Sequence, residues 1–147
     1  MKKLLAVAAL CTAMIFAATA FAGTEFVDSW KMENTKAFKK HKKSLVEFSH
    51  KKHAEDYKVD CGTCHHDDKG QPLKLAVRDD VKECTECHKP GKAPKKEVTK
   101  LKADKVAKKK LQNEYMYGAM HSQCIDCHKA EKKGPTKCAE CHPKKKK

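Results

Sequence analysis

Four short stretches repeat one pattern: Cys61-Cys64-His65, Cys84-Cys87-His88, Cys124-Cys127-His128 and Cys138-Cys141-His142. Two thiols three residues apart, followed at once by an imidazole, have the spacing by which a c-type haem is attached. The thiols add to its two vinyl groups and the next ring ligates the iron. A structural zinc site draws on the same donors. One such motif could serve either chemistry, but four of them point to haem, because the remaining cysteine, Cys11, lies in an apolar N-terminal run. A disulfide framework, the usual reading of a small cysteine-rich exported chain, has no reason to put histidine after every second cysteine.

Each iron then needs a ligand on its second face. Of nine histidines, five lie outside the motifs: His41, His50, His53, His66 and His121. Adjacent α-carbons are only about 3.8 Å apart, so His66 cannot reach the far side of an iron held by His65 and must serve a different one. His121, three residues before Cys124, is equally ill placed to cross to the haem its neighbours anchor. His41, set in KKHKK, reads as solvated. His50, His53, His66 and His121 match the four open positions in number, and each lies near a motif. Met120, beside His121, is expected to pack rather than ligate.

The elements that carry these residues are modest. The first 22 residues have the layout of an export leader: Lys2 and Lys3, an apolar run, then Ala20-Phe21-Ala22 as a cleavage site. That leaves a secreted domain of about 125 residues, 23–147, to be found outside the cytoplasm. Apolar clusters at Phe26 to Trp30 and Leu45 to Phe48 suggest two short strands. A helix is expected over about 96 to 118, with Gly118 at its end. Residues 67–83 read as a loop, and Gly134-Pro135 as a turn. The motif intervals of 23, 40 and 14 residues are unequal, so the repeat is not a solenoid. A lysine-rich chain this short is a poor core builder. One haem per about 31 residues would supply the apolar bulk, and the apo-chain should be largely unfolded.

The net charge is +14, falling to +12 once Lys2 and Lys3 leave with the leader. Export excludes nucleic acid as the partner and favours an anionic protein or membrane surface. Haem propionates and ferric iron bring the charge to about +8 oxidised and about +4 reduced, still enough to steer an acidic partner. Lys129, Lys132, Lys133, Lys137 and Lys144 to Lys147 mark a candidate docking surface near the fourth motif.

The stretch FSHKKHAEDYKVDCGTCHH, Phe48 to His66, resembles the tetrahaem cytochrome c3 family of class III c-type cytochromes. There a Phe-x-His-x-x-His segment shortly precedes a first CxxCHH. The resemblance implies a small, mainly-α multihaem fold with little regular secondary structure and short N-terminal β segments. Four c-type haems form its core. It also implies axial pairs His65 with His50, His88 with His66, His128 with His53, and His142 with His121. Two residues between the cysteines of every motif, and the ending CIDCHKAEKKGPTKCAECH, look more like the type II branch, some of whose members associate with membrane-bound redox complexes. The positive charge looks more like type I, the soluble partner of periplasmic hydrogenase. Bis-histidine ligation leaves no open site, so the expected function is a periplasmic, low-potential electron carrier and not an enzyme. The donor would be hydrogenase or another periplasmic protein, and the acceptor a membrane-bound cytochrome complex. Peripheral membrane association is compatible with the charge. The competing function is a multihaem oxidoreductase with an open haem, of the nitrite-reducing kind.

Overall fold

The computed structural model describes residues 27–144, so residues 1–26, with the expected leader and Phe26 among them, and residues 145–147 lie outside the described residues. Strand β1 (Ser29–Lys31) pairs antiparallel with β2 (Glu47–Ser49), with Trp30 opposite Phe48. Their rings meet edge to face, centroids 5.1 Å apart, and Met32 N–H extends the ladder to the Val46 carbonyl at 2.7 Å. The two strands expected from the apolar clusters are therefore present. A ribbon this short is marginal alone, and its role is to lead directly into His50 and into the helical turn Lys52–Asp56 that carries His53.

The cysteine motifs sit on single helical turns, which bring residues three apart to one face. The first occupies a 3₁₀ turn, Cys61–Thr63, capped by the Asp60 carboxylate accepting from Gly62 N–H at 2.8 Å. The second and fourth form α1 (Cys84–Cys87) and α5 (Cys138–Cys141). Both turns carry a glutamate before the second cysteine that reaches back to the start. Glu86 accepts from Glu83 N–H at 2.8 Å, and Glu140 from Thr136 and Lys137 N–H at 2.9 and 3.0 Å. In all three, the motif histidine closes the turn through its own N–H. The third motif lies inside the longest helix among the described residues, where Asp126 pairs with Lys109 at 2.7 Å.

The single helix expected over residues 96–118 is instead three segments: α2 (Lys95–Lys100), α3 (Lys105–Asn113) and the start of α4 (Met116–Ala130). Asp104 restarts the chain as an N-cap, accepting from Ala107 N–H at 2.9 Å. The second break is tertiary. Lys89 donates to the Glu114 carbonyl and accepts from Met116 N–H, both at 2.8 Å, and Gly91 accepts from Tyr117 N–H at 2.9 Å. These bonds hold Tyr115 extended and reset the helix axis. Gly118 does not end a helix; it lies in the first turn of α4. A Cβ there would collide with the Gln112 carbonyl, so glycine permits the close crossing of α3 and α4.

Among the described residues only Ala37 and Met116 are buried apolar side chains, while Trp30, Tyr57, Val77, Val106 and Tyr117 stand exposed. The described side chains thus bury little apolar surface against one another. No helix among the described residues is long and apolar enough to cross a membrane.

Candidate functional site

The histidines meet in pairs. His50 and His65 have ring centroids 6.2 Å apart, His66 and His88 5.8 Å, His53 and His128 6.2 Å, and His121 and His142 6.2 Å. Each pair joins one motif histidine to one from outside the motifs. Two imidazole nitrogens bound at about 2 Å to opposite sides of one metal put their ring centroids about 6 Å apart, which is the spacing of all four.

Six of these rings are oriented through Nδ1, which donates to a backbone carbonyl in every case. The acceptors are Ser49 for His53 (2.8 Å), and Asp67 for His66, Asn113 for His88, Tyr117 for His121, Pro135 for His128 and Ser44 for His142 (each 2.7 Å). A carbonyl can only accept, so Nδ1 carries the proton and Nε2 keeps the lone pair that a metal requires. His50 and His65 have pKa values lowered mainly by burial, with the neighbouring histidines His65 and His53 adding to the effect at His50, and His66 at His65. Both shifts favour the neutral form, the one that ligation uses.

None of the eight motif cysteines is paired in a disulfide. Burial, the main cause, pushes the Cys124 thiol up to about 11, with Cys64 and Cys141 adding to it, and burial also raises Cys64, Cys84 and Cys141. The influence of Cys64 and Cys141 on Cys124 reflects convergence of the first, third and fourth motifs. Gln123 Nε2 fixes part of that convergence by donating to the Thr63 carbonyl at 2.7 Å. Zinc needs thiolates gathered around one point. Among the described residues no group of three or more His, Cys, Asp or Glu is so gathered. Paired imidazoles, cysteine pairs beside them and few buried apolar side chains fit haem c.

Between Tyr57 and Trp30 the distal histidines share an aromatic cluster. Phe48 stacks on His53 at 4.8 Å and lies 6.1 Å from His50, Trp30 stands edge-on to His50 at 5.9 Å, and Tyr57 edge-on to His53 at 5.8 Å. At the other end Tyr117 stacks on His121 at 4.2 Å. The i,i+4 spacing of Tyr117 and His121 is a signal the sequence carries. The carbonyls of Ser44, Asn113 and Pro135 are backbone atoms and leave none. His41 departs from its solvated reading. The Asn34 turn, with Ala37 N–H donating to Asn34 Oδ1 at 2.7 Å, folds Ala37 and Phe38 inward. His41 follows, 5.8 Å from Phe38, with Nε2 buried and lacking a hydrogen-bond partner, while Lys39, Lys40, Lys42 and Lys43 stay exposed.

The sequence matches the Class III cytochrome C family from residue 27 to residue 142. This chain belongs to that family. It is 40% identical over 113 residues to cytochrome c3 of Maridesulfovibrio salexigens, a match covering 71% of this chain and 83% of the relative. It is 38% identical over 111 residues to cytochrome c3 of Desulfovibrio desulfuricans, covering 69% of this chain and 81% of that relative. As a member of the class III family it is a multihaem c-type cytochrome, an electron-transfer protein that binds haem c, and its helix-and-loop architecture with one two-stranded ribbon agrees with that fold.

Proposed function

We propose that this chain is a periplasmic carrier of low-potential electrons with four haems. Each would be attached by one cysteine pair: Cys61 and Cys64, Cys84 and Cys87, Cys124 and Cys127, Cys138 and Cys141. Each would be ligated by one histidine pair: His50 with His65, His66 with His88, His53 with His128, His121 with His142. The four ring pairs at 5.8 to 6.2 Å carry this reading.

Each haem supplies a one-electron couple at its iron. The protein's part is to orient the rings through Nδ1, to close both axial positions, and to hold the groups near one another. With two histidines assigned to each iron, no position is left for a substrate, which argues for a carrier and against an oxidoreductase with an open haem. Imidazole on both faces, without methionine, favours low potentials. Residues 1–22 are proposed as the leader that delivers the chain to the periplasm.

Lys129, Lys132, Lys133, Lys137 and Lys144 are exposed and flank the fourth motif in the sequence. They are proposed as the docking surface for redox proteins of acidic surface, with hydrogenase or another periplasmic protein as donor and a membrane-bound cytochrome complex as acceptor. Mass of the secreted holo-protein, with ferric electron paramagnetic resonance, tests the reading. Four haem additions on a chain beginning at Gly23, all low-spin, are expected. Fewer haems, or a substantial high-spin population in the native protein, would overturn it in favour of an open-site enzyme.

A further inference from the structure

One of the four histidine pairs carries a feature the others lack. Tyr117, in the first turn of α4, lies flat against His121, with ring centroids 4.2 Å apart and planes 29° from parallel. Its own carbonyl accepts from His121 Nδ1 at 2.7 Å, so ring and backbone of one residue fix the imidazole at two places. Lys92 Nζ sits over the Tyr117 ring, 3.9 Å from the centroid. Its position is set by the neighbouring backbone, because Gly91, at φ +75°, accepts from Tyr117 N–H at 2.9 Å. Lys92, Tyr117, His121 and His142 thus form one file, and among the described residues no other histidine pair has a cation stacked on its aromatic neighbour.

A cation within about 6 Å of a ring centroid is attracted to the negative face of the ring. Held there, Lys92 places a fixed positive charge one ring away from an axial ligand. Positive charge nearby favours the reduced iron, which carries one positive charge fewer. The partner of a ligating histidine also governs ring orientation and basicity. Lys92 is exposed and acts across two rings, so its influence should weaken as salt rises.

We infer that Lys92 and Tyr117 are positioning residues that raise the reduction potential of the haem held by His121 and His142 relative to the other three. The inference rests on the proposed axial pairing of His121 with His142. It gives that haem a distinct place in the order of reduction, set by an exposed lysine.

The test is a spectroelectrochemical titration of secreted holo-protein, with each haem resolved by nuclear magnetic resonance. Lys92→Gln should lower the potential of the haem anchored by Cys138 and Cys141 by at least threefold in its oxidised-to-reduced ratio, about 30 mV for one electron. The other three haems should hardly move, Lys92→Arg should restore the potential, and Lys95→Gln, with equal loss of charge outside the file, should not reproduce the shift. Tyr117→Phe should keep most of the effect and Tyr117→Leu lose it. An unchanged potential in Lys92→Gln, or an equal shift in all four haems, would overturn the inference. His121→Gly separates the two claims. If it leaves all four haems low-spin with unaltered g values, the axial pairing itself fails. If it converts the Cys138/Cys141 haem while Lys92→Gln does nothing, only the tuning fails.

Discussion

His65 and His66 are joined by one peptide bond and turn their rings to different partners. His65 faces His50 at 6.2 Å and His66 faces His88 at 5.8 Å. The two are anchored separately. His65 N–H closes on the Cys61 carbonyl at 2.8 Å while its own carbonyl accepts from Leu73 N–H at 2.9 Å, and His66 Nδ1 donates to the Asp67 carbonyl at 2.7 Å. If both ligate iron, the doublet binds the first two haems to each other through a single residue step.

Replacing His66 should therefore perturb the second haem and spare the first. In His66→Ala the haem anchored by Cys84 and Cys87 is expected to lose its sixth ligand. About a quarter of the ferric signal would turn high-spin, while the haem held by Cys61 and Cys64 keeps both axial nitrogens. Magnetic resonance of the ferric protein with haem-specific assignment reads this directly. Loss of ligation at the first haem instead would show that the doublet is not divided in this way.

The scarcity of buried side chains leads to a second expectation. With Ala37 and Met116 as the buried apolar residues among those described, the chain alone hides too little apolar surface to offset about 1–2 kcal/mol of backbone entropy per ordered residue. Protein expressed without haem attachment should show no cooperative thermal transition by circular dichroism. A sharp, reversible melt would mean that the polypeptide holds the fold without its cofactors.

Much of this arrangement was legible in the sequence where the signal was local. The strands announced themselves through Trp30 and Phe48, and the motif turns through cysteine spacing. The doublet at His65 and His66 could be divided because peptide geometry forbids one iron from taking both. What was hidden is what distant backbone decides. The apolar period across residues 96–118 is genuinely helical, yet Lys89 and Gly91, in another segment, take hydrogen bonds at Glu114 to Tyr117 and break it. The same contact carries Lys92 to Tyr117. His41 was misread for a related reason, since the lysines flanking it report on their own side chains and not on where the Asn34 turn sends the ring between them.

Charge should govern encounter rate more than affinity. On the proposed reading, a net charge near +8 in the oxidised four-haem protein, with exposed lysines flanking the fourth motif, would steer a negatively charged partner over distances comparable to the Debye length, about 10 Å at 0.1 M salt. Stopped-flow electron transfer with an acidic redox protein is expected to slow steeply between low and moderate ionic strength. The combined variant Lys129→Gln, Lys133→Gln, Lys137→Gln should flatten that dependence. Rates indifferent to salt would remove charge as the docking force.

Gly134 offers the sharpest test of how the third pair is held. It adopts φ +78°, and a Cβ at that position would stand 2.7 Å from His128 Cδ2 and 2.9 Å from His128 Nε2. Gly134→Ala therefore combines left-handed strain, about 1–2 kcal/mol for a residue with a side chain, with displacement of the ring. Gly70 supplies the control, because it has the same φ of +78° with nothing within 4 Å of its would-be Cβ. Gly70→Ala should lower the melting temperature of the holo-protein modestly and leave the ferric spectrum unchanged. Gly134→Ala should lower it further and shift the g values of one haem only, the one anchored by Cys124 and Cys127. Equal effects of the two substitutions would mean that His128 is not pressed against the Gly134 turn, and that its ring is oriented by the Pro135 carbonyl alone.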